Sequence, residues 1–142
     1  MNWKLILQLS LFGLAMGIAT VFLISSAVEP FCWLAVFVVS AYAIARRAPG
    51  RPFLHGVAVG LANSVWVTAS HAVLVTEYLA RHPREAAMMS SMPMPNSPRL
   101  MMAMTGPVIG LVSGIVLGIF AIGATKLVKP TGSVASPAVG GA

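Results

Sequence analysis

Acidic residues are nearly absent: the 142-residue chain has three, Glu29, Glu77 and Glu85. Charged residues of both signs make up 8% of it, against about 25% in soluble domains, too few to build a water-facing surface. A single cysteine, Cys32, excludes an internal disulfide and any cysteine-only metal site within one chain. No glycine-rich phosphate loop, HExxH, Cx2C or GxSxG pattern occurs, so no catalytic residue can be singled out and an enzyme has no motif to stand on. What is present is apolar: 58% hydrophobic residues, 13 glycines and a mean hydropathy of +0.88. These proportions belong to an integral membrane protein.

The net charge of +6 does not point to nucleic acid. The nine basic residues sit singly or in pairs at the ends of apolar runs, where they orient membrane helices. Four such runs predict spans at about residues 4–24, 30–46, 53–79 and 107–128. The first holds 20 uncharged residues, Leu5 to Ile24, which as a helix would cover about 30 Å. That core is longer than the roughly 7–15 residues of a signal peptide, so a retained span is the reading. Pro30 suits a first helical position, and Arg46 with Arg47 can snorkel at the far end of span two. Span four can extend back to Ser97 as N-cap, with Pro98 at N1 and Pro107 then inside the helix.

Lys4, Arg46, Arg47, Arg51, Lys126 and Lys129 fall on one side with no acid; Arg81, Arg84 and Arg99 share the other with all three glutamates. The positive-inside rule puts both termini in the cytoplasm. The expected fold is therefore an all-α, four-helix transmembrane bundle, N-in and C-in, over residues 1–129. Residues 130–142 are rich in Pro, Gly and Ser without periodicity and read as a disordered tail.

Small residues recur every fourth position. Span four carries Gly106, Gly110, Gly114 and Gly118; span three carries Gly56, Gly60, Ser64, Thr68 and Ala72; span one adds Gly13 and Gly17. In lipid, helices associate by close van der Waals packing that small residues permit, so these ridges mark helix contacts. The simpler reading is contact between spans three and four of one chain. The other is a homo-oligomer or a seat in a larger membrane complex.

Span three also holds the polar residues at depth. Asn63, Ser70 and Glu77 recur every seven positions on one face, and His71 lies near the small-residue ridge, pointing into the bundle. A neutral imidazole bonded to a neighbouring hydroxyl or carbonyl is the plain reading of His71. Ser70 and His71 point about 100° apart, which does not make a catalytic pair. Glu77 with Arg81, and Tyr78 with His82, are i,i+4 pairs at the outer interface.

The outer connection, residues 80–106, is the least ordinary segment. It contains Met88, Met89, Met92, Met94, Met101, Met102 and Met104, seven of nine methionines, with His82 nearby. Thioethers suit copper(I), so these residues and His82 form a candidate metal set. The plainer reading is a short amphipathic helix from Pro83, its methionines dipping into the bilayer. No cofactor is otherwise expected.

Four spans, a basic turn (RRAPGRP), an outer amphipathic segment after Tyr78 (HPREAAMM) and a Gly-rich last span ending at Lys126 and Lys129 resemble small four-pass bacterial membrane proteins of unknown function. The resemblance covers about residues 4–129 and implies a bacterial inner-membrane location and no activity. The function expected is a non-enzymatic accessory or self-associating subunit. The alternatives are a small oligomeric channel or carrier, or a Cu(I)-handling protein.

Overall fold

The computed structural model describes residues 1–129, among which there are six helices and no strand. In chain order they are α1 (Trp3–Phe22), α2 (Glu29–Arg47), α3 (Pro52–Val73), α4 (Val75–Arg81), α5 (Pro83–Ser90) and α6 (Pro98–Leu127). Four of them, α1, α2, α3 and α6, are long and apolar enough to cross a membrane. The tail read as disordered, residues 130–142, lies outside the described residues.

Local chemistry explains most boundaries. Asn2 caps α1 by accepting from the Leu5 N–H at 3.1 Å. Prolines start α2, α3, α5 and α6, where a missing N–H costs nothing. Glu29 in the first turn of α2 and Arg46 with Arg47 in its last complement the helix dipole. The second span, 15 apolar residues by sequence, becomes a 19-residue helix because these charged ends join it.

One boundary differs from the expected ones, and the start of span four follows the longer of its two readings. The helix of span three stops at Val73 and restarts at Val75, with Leu74 at φ −99° and ψ 30°. No proline or glycine causes the break; it accompanies ring stacking further along, described below. The last helix begins at Pro98 and runs 30 residues, so Met101, Met102 and Met104 belong to α6 rather than to a connection. Pro107 lies inside it and removes the N–H that would bond the Ala103 carbonyl.

Helix α3 is the centre of the bundle, with its largest interfaces against α6 and α1. The apolar core gathers at one end: Leu5, Ile6 and Leu9 of α1, Ala41 and Ile44 of α2, Val59 of α3, and Leu117 and Ala121 of α6. That end carries the six basic residues unaccompanied by acid. Helix α2 is fully buried only there, with Phe37 half-buried edge-to-face on Phe120 just before. All four of its buried residues, Ser40, Ala41, Ile44 and Ala45, lie in its last two turns, whereas Phe31, Leu34 and Val38 are exposed.

Candidate functional site

The small-residue ridges of α3 and α6 meet face to face. A Cβ built on Gly56 would strike Gly118, one on Gly60 would strike Gly114, one on Gly110 would strike Ser64, and one on Gly106 would strike Thr68. Stepping up by four on one helix and down by four on the other is an antiparallel ladder. Its backbones touch: a Cβ at Gly114 would lie 2.8 Å from the Val57 carbonyl oxygen, and one at Gly118 would lie 3.0 Å from that of Phe53. No side chain larger than hydrogen fits at Gly56, Gly60 or Gly114 without moving backbone, whereas Gly106 and Gly110 meet the Thr68 and Ser64 side chains and Gly118 meets the Phe53 ring. The ridges are occupied within one chain.

An adjoining face of α3 meets α1 in a seam of hydrogen bonds. At the basic end, His55 Nδ1–H donates to the Arg51 carbonyl (2.7 Å) and Nε2 accepts from the Asn2 N–H (2.8 Å). Further along, Trp66 Nε1–H donates to Ser10 Oγ (3.2 Å) and the Gly13 N–H donates to Asn63 Oδ1 (3.0 Å). Gly13 and Gly17 again permit the approach, since a Cβ at Gly13 would fall 2.6 Å from Asn63 Cα and one at Gly17 would fall 3.0 Å from Ser70 Oγ. Residue numbers rise together on both helices, so α1 and α3 run parallel. Thr20 ends the seam. Its hydroxyl donates to the Met16 carbonyl (2.8 Å), which leaves its oxygen to accept from His71 Nε2–H (2.8 Å).

Beyond His71 the seam passes into a stack of three rings. His71 and Tyr78 lie 4.1 Å apart between centroids, and Tyr78 and His82 lie 4.6 Å apart. A straight helix would set residues seven apart about 10.5 Å along its axis; the break at Leu74 accompanies their closure. His82 is buried and donates from Nδ1 to the Tyr78 carbonyl (2.9 Å). Around Tyr78, burial first and then the Glu29 and Glu85 carboxylates push the phenol up to about 12. Glu29 is held by Trp33 Nε1–H (3.1 Å). Arg81 reaches the Phe22 carbonyl (3.4 Å) and its ring, not Glu77, and Arg99 donates to the Ala72 carbonyl (3.0 Å).

The polar residues singled out by sequence therefore separate. Asn63, Ser70 and His71 face α1, while Glu77, past the break, is exposed. Among the described residues, the buried Asn63 Nδ2, Ser40 Oγ and Glu85 Oε2 have no hydrogen-bond partner. The methionines differ in exposure. Met102 is buried, Met88 and Met104 are exposed, and Met89, Met92, Met94 and Met101 are half-buried. Among the described residues, no three His, Cys, Asp or Glu side chains gather as a metal site requires.

Sequence reasoning passed over Asn2, Ser10 and Thr20, the α1 half of the seam. An isolated hydroxyl in a 20-residue apolar helix carries no signal of which neighbour it meets. Tyr78 and His82 were visible as an i,i+4 pair, but their stacking with His71 depends on the break. No family model, curated protein or solved structure matches the chain, so the described geometry carries the functional argument by itself.

Proposed function

We propose that the chain is a non-enzymatic subunit of a membrane assembly, four-pass, with its basic end and both termini in the cytoplasm of a bacterial inner membrane. The observation that carries the reading is the unequal use of the spans. Half of the most apolar stretch of α1 is buried within the bundle, against 28% of those of α3 and α6 and 22% of that of α2. The arm formed by the first turns of α2, with Phe31, Leu34 and Val38 outward, is available to a partner subunit or a second copy. The glycine ladder supports this arrangement only indirectly: it joins α3 to α6, the helix against which α2 makes its main contact.

A second reading, a small oligomeric channel or carrier, is favoured by the unpartnered Asn63 amide and Ser40 hydroxyl. Buried donors without partners in hydrocarbon are costly, and a path between copies would supply them. Against it, the remaining seam groups already satisfy one another.

Native mass spectrometry on protein extracted gently from its own membranes distinguishes these. A stoichiometric foreign subunit supports the accessory reading, and a homo-oligomer favours self-association or the channel. A bound copper mass would support the methionine set. A bare monomer in every preparation would overturn both proposals.

A further inference from the structure

Two clefts open at the basic end of the bundle and share Arg47. The larger, about 380 Å³, is lined by Met1, Asn2, Arg47, Ala48, Gly50, Arg51 and His55; the other, about 330 Å³, is lined by Tyr42, Ala43, Arg46 and Arg47. The larger cleft lies where the start of α1 faces the turn between α2 and α3. Its walls are fixed by one buried side chain. His55 joins the two segments through its bonds to the Asn2 N–H and the Arg51 carbonyl, which also commits both ring nitrogens to the backbone and away from any ligand.

The charges at this cleft are uncompensated. The three glutamates lie at the other end of the described residues, at the start of α2 and in α4 and α5. The Arg47 and Arg51 guanidiniums make no hydrogen bond or ion pair among the described residues. Arg51 stands at the N-cap of α3 without a side-chain cap, followed by Pro52, so the positive end of that helix adjoins the same space. Gly50 leaves the entrance open, since a Cβ there would meet nothing within 4 Å. By contrast, Arg46 in the smaller cleft is tied to the Tyr42 hydroxyl at 2.9 Å.

We propose that this cleft binds a phosphate group, the chemistry presented by an anionic phospholipid headgroup, with Arg47 and Arg51 as its ligands and His55 as the strut between the walls. Guanidinium forks match phosphate oxygens in pairs, and basic pockets at the ends of membrane helices are suited to anionic headgroups. The proposal does not depend on the subunit reading above.

The test is native mass spectrometry of the full chain released from nanodiscs containing equal phosphatidylglycerol and phosphatidylcholine. The expected result is one retained phosphatidylglycerol in preference to phosphatidylcholine. Arg47→Gln with Arg51→Gln should lower that retention about tenfold, while Lys126→Gln with Lys129→Gln, an equal charge loss outside the cleft, should change it less than about twofold. Gly50→Glu, which adds a carboxylate where there is room, should cause the same loss and serves if the double variant misfolds. Displacement of the lipid by millimolar inorganic phosphate would identify a free phosphate as a ligand. Resistance to it would assign the site to the lipid headgroup, and either result supports phosphate recognition. Equal losses from both double variants, or equal retention of the two lipids, would overturn the proposal.

Discussion

Helix α3 presents two faces that hold their neighbours by different physics. Towards α6 it offers Gly56, Gly60, Ser64 and Thr68, and the two backbones come into van der Waals contact along an antiparallel ladder. Towards α1 it offers His55, Asn63, Trp66 and His71, each hydrogen-bonded to the parallel helix. In hydrocarbon neither face can rely on the hydrophobic effect, because lipid tails are as apolar as leucine. The ladder gains from proximity and should respond to added volume. The seam gains from paired polar groups and should respond to changes of chemistry at constant volume.

The sharpest separation should come from Gly114→Leu, which places a large side chain where even a Cβ would lie 2.8 Å from the Val57 carbonyl. Overpacking costs about 1–3 kcal/mol for extra methylenes in a packed core, and here backbone must move as well. We expect loss of the cooperative unfolding transition in mixed detergent micelles. Gly123→Ala in the same helix, where a Cβ meets nothing within 4 Å, should be neutral or stabilising by less than about 1 kcal/mol. Equal damage from both would contradict the ladder, because both changes raise helix propensity and only Gly114 meets a neighbouring backbone.

Asn63→Ala should cost less, about 0.6–1.7 kcal/mol by the scale of hydrogen bonds between membrane helices. It removes the acceptor for the Gly13 N–H and also a buried, unpartnered amide, and the second effect offsets the first. Thr20→Val keeps the shape and deletes the acceptor of His71. It should cost about 0.6 kcal/mol and release the imidazole Nε2–H, visible as a shifted nitrogen resonance. An unchanged resonance would remove His71 from the seam.

The smallest effect belongs to the ring stack. Because the Tyr78 phenol is pushed up to about 12, it keeps its proton longer in the folded chain than in the unfolded one. Its contribution is therefore intact below the ordinary tyrosine value of about 10 and fades as pH rises from there through 12. An absorbance titration of the protein minus that of Tyr78→Phe should show a phenol ionising near 12. A difference curve centred near 10 would show Tyr78 exposed and the stack absent.

Much of this was legible in the residues, for reasons that also mark the boundary. The four long apolar helices follow from composition and from prolines and charges at their ends. The ridges could be read because glycine every fourth residue has few purposes in a membrane helix, and the pairing of α3 with α6 was the simpler of two readings. The register could not be read: which glycine opposes which depends on the tilt and slide of both helices. The seam was half legible. Asn63 and His71 stood out as polar residues at depth, but their partners are a backbone N–H and an ordinary threonine. The break at Leu74 had no proline or glycine to announce it, which is why Glu77 was assigned to the face of Asn63 and Ser70. Pro98 and Pro107 were both visible, yet the choice between a connection and one 30-residue helix required the packing of Gly106 on Thr68.

The pairing of α3 with α6 inside a single chain is tested most directly by a disulfide. The Thr68 Cβ lies 3.1 Å from a Cβ built on Gly106, below the roughly 3.5–4.5 Å spacing of a disulfide, so the bond forms once the two helices give by a few tenths of an ångström, and the Thr68 hydroxyl that crowds Gly106 is gone in the cysteine. In a Cys32→Ser background, Thr68→Cys with Gly106→Cys should oxidise to a monomer two hydrogens lighter, with little covalent dimer at any protein concentration. A crosslinked dimer as the main product, or free thiols after full oxidation, would contradict the ladder as an internal contact.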